Sequence, residues 1–513
     1  MRGLAIAAIT ALSGLSLIGL ASPASAATAK PYDFNGDGIT DVAIGSPYGT
    51  AGSAKFAGFV DIVYGSSNGL NTGKHQVFSQ ASAGIAGSPE TSDHFGNSLT
   101  SADFDHDGFA DLAVGVPDED TADGANAGYL QILWGSAAGL SGTDSSATVE
   151  PTLTDPTTGE VIVGPGPSHR FGETLSVGDI DRNGWSDLFY SVPGAGMFNW
   201  FDFTPVPTAK AVAKTRTPHP GKGLAIASAN KTKGEVTAQS EEDVNTTFFA
   251  TGNVTGDNLG DLVVGWYDAD GETVHGFQVL TGVIDSETGL GALDGTTAEL
   301  IDTQVSSLTA GDFDGDGFDD VALGQTPDAT HLGGQIAVYE GSATNVNPDA
   351  PTTVLNQGSP SVPGNDEAGD AFGASVAAGD VNKDGKADLA VGVPTEDVDS
   401  AADAGSAVML YGSATGLTGA GSQGITQNTA GVPGGCETGD KMGTQVSLLD
   451  TNNDGFADLL AGAPAENAGD GMVSWLEGVT AGVTGTGSLG ITATTFGVTG
   501  KKAEIGRRLG RLG

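Results

Sequence analysis

The chain has 513 residues, of which 64 are Asp or Glu and 20 are Lys or Arg, so its net charge at pH 7 is -44. This acidic excess excludes nucleic acids and anionic membranes as expected partners, because phosphate binding requires clustered Lys and Arg. The single cysteine, Cys436, excludes an intramolecular disulfide framework, so packing or bound ions must stabilise the fold.

The N-terminus predicts a secretory signal peptide over residues 1–26. One Arg precedes a continuous apolar stretch, and small residues follow in an Ala-x-Ala arrangement from Ala24 to Ala26. No later stretch has the roughly 18 to 20 uninterrupted apolar residues of a membrane span. We therefore expect a secreted, extracellular protein whose residues 27–513 form one domain.

After the signal, one acidic nonapeptide recurs seven times. Its copies start at Asp33, Asp103, Asp179, Asn253, Asp312, Asp380 and Asp450, which are 70, 76, 74, 59, 68 and 70 residues apart. A segment such as "FGNSLTSAD" precedes a copy, an apolar run such as "DLAVGVP" follows it, and an alternating run such as "GYLQILWGS" comes later. These short runs are rich in β-branched or aromatic residues and bounded by Gly and Pro, which predicts strands.

The repeat predicts an all-β fold, a seven-bladed β-propeller of four-stranded antiparallel blades. Each unit of about 70 residues has three evident strands and space for a fourth, and an isolated unit would expose both faces of its sheet. The first nonapeptide lacks a preceding "FG" strand, whereas "IGRRLG" from Ile505 resembles "MGTQVS" from Met442. We therefore expect the N- and C-terminal strands to close the ring in one blade, which removes exposed sheet edges.

Each acidic nonapeptide predicts a loop that binds a divalent cation. In "DFDHDGFAD" from Asp103, the side chains at positions 1, 3, 5 and 9 and the carbonyl at position 7 can converge, while Gly108 at position 6 permits a sharp turn. Six or seven oxygen ligands favour Ca²⁺ over Mg²⁺. An EF-hand is excluded because it requires a Glu at position 12, where this chain has strand residues such as Ile44 and Val114.

Six of the seven copies carry a full ligand set, so we expect about six Ca²⁺ sites, the best of them in the loops that begin at Asp103 and Asp312. The predicted ligands are Asp33, Asn35, Asp37, Ile39, Asp41, Asp103, Asp105, Asp107, Phe109, Asp111, Asp179, Asp181, Asn183, Trp185, Asp187, Asp312, Asp314, Asp316, Phe318, Asp320, Asp380, Asn382, Asp384, Lys386, Asp388, Asp450, Asn452, Asp454, Phe456 and Asp458. The fourth copy has two carboxylates at the ligand positions and lacks the Gly, which predicts a weak or absent site. Its residues at the five positions are Asn253, Thr255, Asp257, Leu259 and Asp261.

The order "FG", "DxDxDGxxD", "AVGVP" and a "GxVxVxYG" strand resembles the FG-GAP repeat of integrin α-subunit propellers. The resemblance covers nearly the whole mature chain. It implies a seven-bladed propeller whose Ca²⁺ loops lie on one face, the lower face, and it implies cell adhesion as a function.

The connections on the opposite, upper face are also acidic. They include "PDEDTADGANAG" from Pro117, "PTEDVDSAADAG" from Pro394 and "PAENAGDG" from Pro464. Further carboxylates precede the "FG" strands at Glu90, Asp93, Glu367, Asp370, Glu437 and Asp440. We expect this face to receive a protein or glycan ligand, and the alternative is a solvated acidic rim that keeps the protein soluble. The basic segment 210–233 is either an insertion or a complementary patch.

No catalytic residue and no organic cofactor is expected. "GSSNG" at Gly65 matches a nucleophile pattern, but Ala137 and Ala414 take the place of Ser67 in other copies. The histidines, among them His94, His169, His219 and His331, show no metal-ligand spacing. Our first hypothesis is a monomeric, non-enzymatic binding or adhesion module for a protein or cell-surface ligand, our second a lectin-like glycan-binding propeller, and our third a polysaccharide-degrading enzyme.

Overall fold

The computed structural model describes residues 28–154, 161–180, 182–203, 219–220, 224–225, 246–267, 276–284, 291–294, 301–326, 332–498 and 502–511. The predicted signal peptide, Asp181, His331 and most of the basic segment 210–233 lie outside these residues.

Seven antiparallel sheets form the blades of a β-propeller, which confirms the predicted fold. Blades 1 to 3 contain β1 (Val42–Ser46), β2 (Phe59–Tyr64), β3 (Asn71–Phe78), β4 (Ser98–Ala102), β5 (Asp111–Val116), β6 (Tyr129–Trp134), β7 (Ser141–Val149), β10 (Leu175–Gly178), β11 (Asp187–Val192), β12 (Met197–Asp202), β13 (His219–Pro220) and β14 (Leu224–Ala225). A small hairpin of β8 (Leu153–Thr154) and β9 (Val161–Val163) lies between blades 2 and 3 in the chain. In blade 3, β13 and β14 both pair with β12 in place of one long outer strand.

Blades 4 to 7 each have four strands in simple up-and-down order. They contain β15 (Thr246–Gly252), β16 (Asp261–Tyr267), β17 (Gly276–Ile284), β18 (Gly291–Asp294), β19 (Ser307–Gly311), β20 (Asp320–Gln325), β21 (Gln335–Tyr339), β22 (Thr353–Leu355), β23 (Ser375–Gly379), β24 (Asp388–Val393), β25 (Ser406–Tyr411), β26 (Thr418–Ile425), β27 (Gln445–Leu449), β28 (Asp458–Ala463), β29 (Met472–Val479) and β30 (Gly482–Thr492). The helical elements of the described residues are single turns at Pro193–Ala195, Glu466–Gly469 and Ala493–Phe496. No helix among the described residues is long and apolar enough to cross a membrane.

The ring closes where the two ends of the chain meet in blade 1. The last strand, β31 (Arg508–Leu509), pairs antiparallel with β1 through Ile44↔Leu509 and Gly45↔Arg508. The amide of Gly510 donates to the Ala43 carbonyl at 2.8 Å. The C-terminal residues therefore supply the innermost strand of the blade that the N-terminal residues begin, as the sequence predicts.

The strands are hydrophobic because neighbouring blades cover both of their faces. All six residues of β5 are buried, and so are all six of β24. The outer strand β7 instead has mostly exposed or half-buried residues. A strand buried on two sides reads as a continuous apolar run, and a strand at the rim does not.

Five segments of the "FG" type pack against the blade before them in the chain, and they begin at Phe95, Phe171, Phe372, Met442 and Ile505. The amide of Phe95 donates to the Ala57 carbonyl at 2.9 Å, and Ile505 makes the matching bond to Asp470 at 3.1 Å. A Cβ atom on Gly462 would lie 2.0 Å from the carbonyl oxygen of Gly506. Only glycine therefore fits where the C-terminal segment from Ile505 to Arg511, the closing segment, crosses blade 7.

The acidic loops and the other connections lie at opposite ends of the blades. Each loop joins the first and second strands of its blade at the lower face, and the turn between the third and fourth strands lies beside it, as shown by the Gly135 amide that donates to Asp111. The connections between second and third strands and those between blades form the upper face.

Candidate metal centres

All seven acidic loops share one backbone conformation. Residues at positions 4 and 6 have positive φ in every copy, with φ values from 54° to 94°. Position 4 is occupied by Gly36, His106, Arg182, Gly256, Gly315, Lys383 and Asn453, and position 6 by Gly38, Gly108, Gly184, Asn258, Gly317, Gly385 and Gly455. The fourth loop keeps this geometry without its glycine because Asn tolerates the left-handed conformation. Loss of the glycine therefore does not distort that loop; what it lacks is carboxylates.

Backbone amides hold the carboxylates at positions 1 and 5. In the loop that begins at Asp103, the Asp107 amide donates to Oδ1 of Asp103 at 2.9 Å and the Gly108 amide donates to Oδ2 at 3.0 Å. The Phe109 amide donates to Oδ1 of Asp107 at 3.1 Å. These bonds fix the carboxylates before any cation binds.

The position 9 carboxylate is buried at the base of each loop. Asp111 accepts from the amides of Phe104 at 2.9 Å and Gly135 at 2.8 Å, so it ties the loop to the turn between strands three and four. Burial raises the pKa of Asp111 well above its usual value. For the equivalent residues burial raises the pKa of Asp41 to about 8, of Asp320 and Asp388 to about 7, and of Asp458 to about 6, partly offset by the donated amide hydrogen bonds. A nearby cation would favour the charged form of each.

Two loops bring three carboxylates together in the geometry that a cation requires. One oxygen from each of Asp103, Asp105 and Asp111 lies within 4.8 Å of the others. The same holds for Asp312, Asp314 and Asp316. These are the two loops for which the sequence predicts the best sites. Oxygen donors at such spacing suit a hard cation.

Among the described residues, the remaining loops present fewer gathered carboxylates. In the loop that begins at Asp380, Nδ2 of Asn382 donates to both oxygens of Asp388, at 3.3 and 3.2 Å. The buried Oδ1 of Asn382 has no hydrogen-bond partner among the described residues. That oxygen is the predicted ligand atom at position 3. Asn35 and Asn452 hold the same position in the first and last loops, where Oδ1 of each accepts the position 5 amide.

In the third loop, Asp179 accepts the amides of Asn183 and Gly184, and Trp185 donates to Oδ1 of Asn183. In the fourth loop, the amide and the hydroxyl of Thr255 both donate to Oδ2 of Asp261, at 2.8 and 3.0 Å. The fourth loop therefore has neutral side chains at both position 1, Asn253, and position 3, Thr255, whereas every other loop has Asp at position 1. The predicted position 7 ligands would contribute only main-chain carbonyls.

The loops are also joined to one another. The position 8 amide of a loop donates to the position 1 carbonyl of the preceding loop, as Ala110 does to Asp33 at 2.9 Å and Ala387 does to Asp312 at 2.8 Å. Asp319 adds a side-chain contact, because its Oδ2 accepts the Asn253 amide at 2.6 Å. Five such bonds join neighbouring loops among the described residues, a feature that the sequence analysis missed.

On the upper face the structure separates buried from exposed carboxylates. Asp93, Asp370 and Asp440 are buried, and each accepts the amide of the residue three positions earlier: Glu90, Glu367 and Glu437. Three buried glutamines donate to glutamates of the acidic connections, in the pairs Gln80–Glu119 at 2.6 Å, Gln357–Glu396 at 2.5 Å and Gln427–Glu466 at 2.7 Å. Burial raises the pKa of Asp93 to about 6 and of Glu119 to about 7.

Two of the singled-out histidines lie within hydrogen-bond distance of carboxylates on this face. Nδ1 of His94 lies 2.7 Å from Asp118, and Nδ1 of His169 lies 2.7 Å from Glu150. Ser67 is exposed in its turn, where the neighbouring Ser66 hydroxyl donates to the Gly69 carbonyl. Cys436 is a half-buried free thiol.

These features define a class of protein: a closed seven-bladed propeller in which each blade has an acidic loop and five blades also have an interlocking "FG" segment. The FG-GAP repeat family model matches residues 27–77, 95–133, 305–339, 372–408 and 442–474. The chain is therefore a seven-bladed β-propeller with five segments that match FG-GAP repeats, and it is similar to integrin α-subunits in this region.

The similar proteins are much longer than the regions they share with this chain. Integrin alpha-PS5 of Drosophila melanogaster is 32% identical over 185 residues, which is 36% of this chain and 16% of that protein. Phosphatidylinositol-glycan-specific phospholipase D of Mus musculus is 33% identical over 98 residues, which is 19% of this chain and 11% of that protein. A mutant of AofleA from Arthrobotrys oligospora covers 74% of this chain and 83% of its own at 9% identity, with a TM-score of 0.36, too low to inform on the fold.

Proposed function

We propose that the protein is a secreted, Ca²⁺-binding propeller that acts as a non-catalytic binding or adhesion module for a protein or cell-surface ligand. The observation that carries the proposal is the division of the acidic residues between two faces. Lower-face carboxylates are held by backbone amides within linked loops, whereas carboxylates such as Asp123 and Asp399 on the upper face are exposed. The lower face suits a scaffold role, and the upper face suits recognition by a monomeric module.

Calcium would be held by the loops with gathered oxygens. Asp103, Asp105 and Asp111 supply three donors in one loop, and Asp312, Asp314 and Asp316 supply three in another. A bound Ca²⁺ would supply the positive charge that offsets the mutual repulsion of these carboxylates. Because five hydrogen bonds join neighbouring loops, cations bound in these loops would stabilise contacts between blades as well as within them.

The calcium proposal is tested by thermal unfolding with and without a chelator. Ions that bind only the folded loops stabilise by mass action, about 2.7 kcal/mol for each site at one hundred times its Kd. We expect the melting temperature to fall by many degrees in EGTA and to recover when Ca²⁺ is restored. An unchanged melt, together with no calcium in elemental analysis of the purified protein, would rule out this role.

The ligand proposal rests on the charge of the upper face, which suits a partner with basic side chains. Poly-L-lysine is a suitable probe. The variant Asp123→Asn with Asp399→Asn removes two upper-face charges, and Asp144→Asn with Asp349→Asn removes two exposed charges elsewhere. We expect only the first variant to weaken binding by several-fold at low salt. Equal weakening by both would show that net charge alone attracts the probe.

A glycan ligand is the alternative, and a glycan array read with and without chelator separates the two. Calcium-dependent binding to defined glycans would favour the lectin-like alternative over a protein ligand. Release of reducing ends from polysaccharides would instead indicate an enzyme. The phospholipase activity named for one similar protein belongs to that protein, of which this chain matches 11%.

A further inference from the structure

A partly open pocket lies on the propeller axis, at the upper ends of the innermost strands. Its volume is about 220 Å³. Residues from the closing segment and from the first strands of several blades form its wall, among them Ser98, Ser307, Ser375, Arg508 and Arg511. Drug-sized ligands occupy pockets of about 300–1,000 Å³, so this one suits a single small molecule.

The pocket holds positive charge within a strongly acidic protein. Arg508 donates from Nε to the Asn97 carbonyl at 2.9 Å and from Nη1 to the Arg507 carbonyl at 3.5 Å. In the part of the chain that the structure describes, no carboxylate lies within 4 Å of the Arg508 or Arg511 guanidinium. The one acidic residue among those that form the wall is Glu173, and its carboxylate forms a salt bridge with Nε of Arg170 at 3.1 Å.

Burial and nearby like charges disfavour the charged forms of the two guanidinium groups. Burial lowers the pKa of Arg508 and repulsion from Arg507 adds to that effect, while Tyr48 and Glu173 partly oppose it. Burial likewise lowers the pKa of Arg511, with repulsion from Arg508 as a further cause. Two like charges at a partly desolvated site favour an anion that offsets both. Guanidinium groups bind carboxylates well because their planar donors match the two oxygens.

Two of the hydroxyl groups on the wall, those of Ser98 and Ser307, present acceptors, and the Ser375 hydroxyl keeps its proton to donate. The Ser98 hydroxyl donates to the Gly172 carbonyl at 2.7 Å and the Ser307 hydroxyl to the Gly373 carbonyl at 2.8 Å. Their protons are thereby committed, while their oxygen lone pairs can still accept hydrogen bonds. The Ser375 hydroxyl oxygen accepts from Gln445 and from the Val446 amide. A ligand that fits this wall carries hydroxyl donors as well as an anionic group.

We propose that the axial pocket binds a small hydroxylated carboxylate, the size of a hexuronic acid, with its carboxylate on Arg508 and Arg511 and its hydroxyls on the serine wall. The proposal goes beyond the ligand module described above and does not depend on it. That module uses exposed carboxylates of the upper face, and this site uses half-buried cations on the axis.

Sodium glucuronate is the probe, and isothermal titration calorimetry of the full chain is the assay. Glucose tests the need for the carboxylate, and a tri-aspartate peptide tests whether an acidic side chain without hydroxyls serves as well. We expect glucuronate to bind and both controls to bind at least about tenfold more weakly, since a charge-assisted hydrogen bond is typically worth that much.

The variants Arg508→Gln and Arg511→Gln each remove one guanidinium. Arg507→Gln is the matched control, because Arg507 is adjacent in the chain but pairs with Glu504 at 3.4 Å and lies over the Tyr48 ring, away from the pocket. We expect at least about tenfold weaker glucuronate binding in the first two and none of this loss in the control.

Several results would overturn the proposal. They are no glucuronate binding to the unaltered chain, tri-aspartate binding as tight as that of glucuronate, or an equal loss in Arg507→Gln. If Arg508→Gln fails to fold, Arg511→Gln decides, because the Arg511 side chain makes no hydrogen bond to another described residue and its removal leaves the closing strand paired.

Discussion

A paired substitution at position 5 of two acidic loops tests the calcium assignment most directly. Asp316 lies in a loop with three gathered carboxylates, and Asp257 lies in the fourth loop. Each accepts the amide of its position 7 residue, Phe318 at 2.9 Å and Leu259 at 2.8 Å. Asn at either position keeps that acceptor and removes only the charge, so Asp257→Asn is a matched control for Asp316→Asn.

The effect of Asp316→Asn on stability should change sign with Ca²⁺, whereas Asp257→Asn should have no effect in either condition. With Ca²⁺, loss of one charged ligand that weakens a site about tenfold lowers the free energy of unfolding by about 1.4 kcal/mol. Without Ca²⁺, Asp316→Asn should stabilise the protein slightly, by about 1 kcal/mol at most, because it relieves repulsion from Asp312 and Asp314. Asp257→Asn should change neither value.

Calcium titration is the sharper assay for this pair. Unfolding entropy is about 2.1 cal/mol/K for each residue, so for a chain of this length 1.4 kcal/mol corresponds to a shift of only about 1 °C. We expect calorimetric titration to show one weakened site in Asp316→Asn and an unaltered profile in Asp257→Asn. Identical titrations for the two variants, or a destabilised Asp316→Asn in EGTA, would refute the reasoning.

Two further predictions concern packing and pH. Gly462→Ala should destabilise the protein by about 1–3 kcal/mol, because its Cβ would lie 2.0 Å from the Gly506 carbonyl oxygen. Gly435→Ala is the control, since no atom lies within 4 Å of its Cβ, and it should melt like the unaltered protein. Comparable melting temperatures for both variants would contradict this. Burial raises the pKa of Asp93 to about 6 and of Glu119 to about 7. The folded protein therefore binds more protons than the unfolded chain between about pH 4 and 7, so the contribution of these two groups to stability decreases as pH rises through that range. Poly-L-lysine binding should weaken as pH falls from 8 to 5, since the same groups lose charge, and a pH-independent affinity would show that they do not contribute.

The sequence was most informative where a pattern repeats at fixed offsets. Seven nonapeptides predicted seven blades, and the likeness of "IGRRLG" to "MGTQVS" predicted which strand closes the ring. Both predictions follow from burial, since a blade must cover both faces of its sheet. Because every copy of a repeated unit packs against equivalent neighbouring units, the repeat predicts these contacts.

The details of the loops were harder to predict because they depend on backbone conformation. Arg182 and Lys383 adopt positive φ at position 4, and neither residue type indicates this conformation as glycine or asparagine does. The hydrogen bonds from position 8 of one loop to position 1 of the preceding loop use backbone atoms alone, so no side-chain pattern marks them.

A usable signal did exist for the glutamine–glutamate pairs of the upper face. In each of the three pairs the donor precedes the acceptor by 39 residues, a constant spacing that self-alignment reveals. The axial pocket has no such signal. Its two arginines reach the axis only because the closing strand is innermost, a consequence of the whole ring.

The hydrogen bonds that join neighbouring acidic loops, together with the closing strand, bear on how the protein unfolds. Open repeat arrays fray from their terminal units, and their stability is a sum over local interfaces. A closed ring has no terminal unit, so opening any blade exposes two interfaces at once. The described propeller should therefore unfold in one cooperative calorimetric transition, and a blade with a weak cation site is held in place by both of its neighbours.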